Sequence, residues 1–86
     1  MTVQVRIPTI LRKYTDGEKQ VEGKGATLAE LFADLDARHP GLRVRIIDEQ
    51  DRIRPHIKCF VAGEMAADLS APIVGEVQIL AALSGG

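Results

Sequence analysis

Two adjacent glycines, Gly85 and Gly86, stand last in the sequence, after the apolar run EVQILAAL and a single serine, Ser84. Glycine adds no packing and loses the most conformational entropy when ordered, so a purely structural end would stop at the strand or continue into polar residues. Extended, Ser84 to Gly86 reach roughly 10 Å past the fold. With no Cβ on the last two residues, such a thread can enter a narrow channel in a partner and lie close to its walls. The chemistry expected of these residues is therefore presentation of a chain end to another protein. Flexible glycine ends are also common, so the pair alone leaves a plain interaction module open.

The other residue types that do chemistry are poorly placed for it. Cys59 lies mid-strand on the face of Ile57 and Val61, which fits an inert buried thiol better than an activated nucleophile. His39 and His56 have no acidic or histidine partner at ligand spacing and fall at element boundaries, so no metal site is expected. Asp34 with Asp36, and Asp48 with Glu49, read as surface charge. The loose basic run Arg43, Arg45, Arg52, Arg54 and Lys58, broken by Asp48, Glu49 and Asp51, reads as a solvated face, with a docking patch for an acidic partner as the sharper alternative.

Composition excludes several classes of partner. Eleven basic residues against twelve acidic give a net charge of −1, which offers no field to attract phosphate backbones or anionic membranes. One Tyr and two Phe supply no platform for base stacking. Neither nucleic acid nor a membrane is expected. A lone cysteine rules out an internal disulfide and suits a reducing compartment, and the alternating start MTVQVRIPTI is neither a signal peptide nor a span. A cytoplasmic location is expected. At 86 residues and 45% hydrophobic, the chain suits one small domain with one modest core.

The elements that must carry the glycines follow from periodicity. VQVRIPTIL turns Val3, Val5 and Ile7 to one side and predicts a first strand. Asp16-Gly17 marks a turn before Lys19-Gln20-Val21, which makes a hairpin with a loop longer than two residues. Leu28, Leu31, Phe32 and Leu35 recur at i, i+3, i+4 and i+7, Thr27 with Glu30 forms a capping box, and Pro40-Gly41 stops the helix. LRVRIIDEQDRIR shows no clean period and is expected to be a connection with a short irregular turn around residues 48–51. HIKCFVAG predicts a strand ending in a turn at Gly63, residues 65–69 a short strand or turn, and VQILAAL the final strand. That alternation turns Phe60 and Leu80 outward, as a candidate apolar patch for a partner.

One helix on one face of one mixed sheet, with the first and last strands parallel at its centre, is an α+β, β-grasp arrangement of four to five strands. With that order, the chain resembles the ubiquitin-like sulfur carriers of the MoaD/ThiS family across its whole length, in VRIPTILRKYTDGEKQV, TLAELF, KCFVAGEMAADL and GEVQILAALSGG. IPTILR followed by the threonine-glycine hairpin is most similar to the cysteine-biosynthesis, CysO-like branch. Where the family often places proline and valine before the glycines this chain has AALSGG, and it has VAGE where a turn with asparagine or aspartate is usual.

The resemblance implies a single carrier domain over residues 1–86, with residues 84–86 as a flexible tail threading into partners. It implies that the Gly86 carboxylate is adenylated from ATP by a ubiquitin-activating-type enzyme and then converted to a thiocarboxylate. Sulfur would come from a donor protein or rhodanese and pass to a sulfur-accepting synthase. The carrier itself would catalyse nothing and hold no cofactor. Two alternatives stay open: a ubiquitin-like modifier joined to lysines through Gly86, and the small subunit of a molybdopterin-synthase-like complex.

Overall fold

A computed structural model describes residues 2–81. Five strands form one mixed sheet: β1 (Thr2–Arg6), β2 (Gln20–Lys24), β3 (Ile57–Val61), β4 (Glu64–Met65) and β5 (Val77–Ala81). Their spatial order is β2-β1-β5-β3-β4. β5 lies between β1, which it meets in parallel, and β3, which it meets antiparallel with Cys59 opposite Ile79. This is the β-grasp arrangement expected from the sequence.

Helix α1 (Leu28–Arg38) covers the inner face. Leu28, Leu31, Phe32 and Leu35 are all fully buried, together with Val5, Ile57, Cys59, Val77 and Ile79 of the sheet. Full burial contributes about 1.5–3 kcal/mol for each large apolar side chain, so this stripe alone outweighs the helix's marginal intrinsic stability. The Glu30 N–H donates to Thr27 Oγ1 at 3.4 Å, and Glu30 Oε1 accepts from the Ala26 N–H at 3.0 Å. The capping box is thus present, with its return bond one residue earlier than the usual form. Gly25 fixes how closely the helix approaches its own entry loop: a Cβ there would lie 2.5 Å from the Leu31 backbone nitrogen.

Two expectations are corrected. The first strand stops at Arg6, and residues that the apolar pattern carried into it form a 3-10 helix, Thr9–Tyr14. Pro8 has no N–H for a strand ladder and instead opens this turn with φ −68°. The stretch after Gly41 begins with a second helix, α2 (Leu42–Ile46), in place of an irregular connection. Leu42 and Ile46 are fully buried one turn apart, and Val44 between them is exposed. The expected turn follows it, where Asp48 Oδ1 accepts from the N–H groups of Gln50 and Arg52. Those two bonds hold the Asp48 carboxyl below its ordinary range.

The β3–β4 hairpin turns on Ala62 and Gly63, with φ of 50° and 86° and Val61 opposite Glu64. Both central residues of such a two-residue turn need positive φ, which glycine adopts freely and alanine only at a cost. Replacing Ala62 by Asn, which tolerates this region, should raise stability by about 0.5–1 kcal/mol, read as a higher denaturation midpoint at unchanged slope.

Candidate functional site

β5 is the element that leads toward Ser84, Gly85 and Gly86, and these three residues lie outside the described ones. Its hydrogen bonding sets how it arrives there. The Ala62 N–H donates to the Glu76 carbonyl at 2.9 Å, so in the alternating antiparallel ladder the main-chain groups of Gln78 and Leu80 face β3 and those of Ile79 and Ala81 face β1. β1 meets them only briefly. Pairing covers Val5 with Val77 and Arg6 with Gln78, and the next rung would need an N–H on Pro8. The last residues of β5 therefore hold β3 on one side and leave their other edge to a groove.

The outer face of the sheet carries the predicted patch. Phe60 is half-buried opposite Gln78, and Leu80, opposite Lys58, is exposed; the two are diagonal neighbours. Met65 pairs directly with Phe60 from β4 and is 61% exposed, which extends the patch to Met65, Phe60 and Leu80. Met65 was not legible beforehand, because a two-residue strand has no period from which to assign its face.

The remaining candidates have structural roles. Cys59 is fully buried and burial pushes its thiol up to about 12, so it stays protonated and unreactive at neutral pH. His39 caps the C-terminus of α1 and His56 is exposed just before β3. Among the described residues no group of three or more His, Cys, Asp or Glu could hold a metal ion. Asp34 and Asp36 do more than charge the surface: Asp34 Oδ2 accepts from the Lys24 N–H at 2.9 Å, and Asp36 Oδ1 accepts from the N–H groups of Gly41 and Arg43 at the start of α2. The basic run is largely engaged within the chain. Arg43 pairs with Asp51 at 3.1 Å, Arg45 donates to the Tyr14 hydroxyl at 2.6 Å, and Arg54 Nε donates to the Val44 carbonyl at 2.8 Å. No helix among the described residues is long and apolar enough to cross a membrane.

No protein-family model matches the chain. Over its full length and theirs, the chain is 36% identical to the proteins named sulfur carrier protein CysO of Mycobacterium tuberculosis and Mycobacterium bovis. It belongs to the CysO family of sulfur carrier proteins. The family assignment extends to solved structures. A chain of the Amycolatopsis orientalis BexX/CysO complex superposes with a TM-score of 0.89 at 39% identity, over 98% of this chain and 99% of that one. Mycobacterium tuberculosis CysO gives 0.84 at 33% identity, over 94% and 99%. SAMP1 of Haloferax volcanii shares the fold, with a TM-score of 0.80 at 24% identity over the whole of both chains. Members of the CysO family are carriers, not catalysts.

Proposed function

We propose that this chain carries sulfur as a thiocarboxylate on Gly86, with Ser84 and Gly85 as the slender approach that threads into partners. The full-length identity to CysO carriers is the observation that supports it most. A free carboxylate resists nucleophiles. A ubiquitin-activating-type partner would join it to AMP, using ATP and releasing pyrophosphate. Attack on the acyl-adenylate by hydrosulfide from a donor protein would then expel AMP and leave sulfur in place of one oxygen. With a rhodanese persulfide as donor, the acyl disulfide formed first would be cleaved by a second thiol, which leaves as a disulfide with the donor and frees the thiocarboxylate. The chain binds no cofactor of its own in this scheme, since ATP is held by the partner. A single buried thiol suits a reducing, cytoplasmic setting.

The likeness to a chain of the Amycolatopsis BexX/CysO complex supports a protein partner for this chain. The acceptor would be a synthase that receives the thiocarboxylate directly.

The test is intact mass after incubation with ATP, a sulfur source and the cognate activating enzyme. The expected product has sulfur in place of one oxygen, and high-mass conjugates without it would point to a protein modifier instead. In the same assay Phe60→Asp should weaken binding to the activating enzyme about tenfold or more, because an aromatic at the centre of an exposed patch makes a strong anchor. The unfolding midpoint is measured alongside. A large loss of stability at unchanged affinity would assign Phe60 to the core and not to docking.

A further inference from the structure

Where β1 leaves β5, the chain opens a groove of about 660 Å³. Its lining draws on three places in the sequence: Arg6 and the 3-10 turn with Arg12, Lys19 just before β2, and the end of β5. Among the described residues that line it, three are cationic and none is acidic. Arg12 uses Nε to donate to the Ile7 carbonyl at 3.1 Å, which fixes the guanidinium and leaves its terminal nitrogens for another acceptor. Arg6 meets Glu76 only loosely, at 3.8 Å with both side chains more than half exposed. The rim is apolar where Ile10 and Leu80 lie, 40% and 42% exposed. Along one wall runs the edge of β5 that Pro8 cannot pair.

An open strand edge, apolar contacts and an excess of positive charge together fit one kind of occupant. From this groove we infer a binding site for an extended acidic segment of the partner that takes up the C-terminus, paired with β5 through the Ile79 carbonyl and the main-chain groups of Ala81 and with its carboxylates on Arg12 and Lys19. The inference rests on the carrier reading for the identity of that partner. An extended peptide added to a sheet edge gains main-chain hydrogen bonds, and its alternate side chains then reach the flanking residues. Here those flanking residues select negative charge, and the site lies at the root of the segment that the partner must handle.

Two measurements test it. The isotope-labelled chain is titrated with a five-residue peptide alternating glutamate and valine, and with its lysine–valine counterpart, while backbone and Arg12 signals are followed by NMR. The acidic peptide alone should shift Ile79, Ala81 and Arg12, with an affinity that falls as salt rises. Lys19→Glu, and Lys19→Glu combined with Arg12→Glu, should each weaken that affinity, the pair by about tenfold or more. Among the described residues the Lys19 side chain makes no hydrogen bond, and the bond its carbonyl accepts from the Ile7 N–H is unaffected by the change, so the single variant keeps the test valid if the double variant unfolds. Equal shifts from both peptides, or none, overturn the inference.

The second measurement is pyrophosphate exchange by the activating enzyme, where Lys19→Glu should raise KM for the carrier and leave kcat unchanged. Unchanged KM for Lys19→Glu, with wild type fully active, also overturns the inference. A wild-type chain that binds the acidic peptide and is never adenylated instead defeats the carrier reading and leaves the groove standing.

Discussion

A chain extended past Gly86 by an uncleavable tag is expected to accept no sulfur at all, while melting at the same temperature as the unmodified protein. The proposed chemistry needs a free α-carboxylate at Gly86, because that oxygen attacks the phosphate and the same carbonyl later receives sulfur. A peptide bond there removes the nucleophile outright, so the effect is loss and not attenuation. Stability should be indifferent, since the tag is joined beyond β5, in which Ile79 is the last fully buried side chain among the described residues. Gly85→Val makes the complementary case with the carboxylate intact. A β-branched side chain restricts the backbone and thickens the thread, and a misplacement of about 1 Å at a reacting centre costs on the order of a hundredfold in rate. Both variants are read by intact mass after incubation with ATP, the activating enzyme and a sulfur source. Full loading of the tagged chain, with the tag shown still attached, would sink the terminal-carboxylate mechanism.

The second large effect concerns the helix that holds the sheet. Phe32→Ala should destabilise the protein by about 3–5 kcal/mol, since Phe32 is the largest fully buried side chain and its removal costs both transfer energy and a cavity. A chain of 86 residues has a total stability of about 4–13 kcal/mol, so this one change can consume most of it. The gap is difficult to close by collapse, because α1 is set against β2 and its entry loop by contacts at Gly23 and Gly25 that already lack room for a Cβ. Denaturant unfolding at constant slope measures the loss. A change below about 1 kcal/mol would show that the helix repacks, against the close approach seen at Gly25.

How far the sequence could be read depended on element length. α1 has three turns, so Leu28, Leu31, Phe32 and Leu35 repeat often enough to be unmistakable, and both of its ends are marked by local residues. α2 has five residues, and its apolar positions Leu42, Val44 and Ile46 alternate as a strand's would. Only the structure separates exposed Val44 from its buried neighbours. The N–H groups of Gly41 and Arg43 at its start are satisfied by Asp36, a residue inside the preceding helix, where no local capping rule would look for it.

The candidate site divides along the same line. Phe60 and Leu80 were legible because each sits in a five-residue strand with regular alternation. Met65 joined them through pairing across a hairpin, and the cationic groove gathers residues 6, 12 and 19 with the end of β5, a convergence that no one-dimensional pattern contains. The expectation that Ser84, Gly85 and Gly86 form the working end falls outside the described residues and stands on the family and its chemistry.

The parallel pairing of β1 and β5 also fixes how the molecule bears a load. Because the two strands run the same way at the sheet centre, Thr2 and Ala81 leave from opposite ends of it. Tension drawn along β5 from Ala81, as when a partner pulls on the chain it has engaged, runs parallel to the strand and across its hydrogen bonds. The five residue pairs with β3 and the two with β1 then resist together in shear, instead of opening one after another as a peeled hairpin does. Under the proposed function, traction on the chain end would thus be borne by the centre of the sheet.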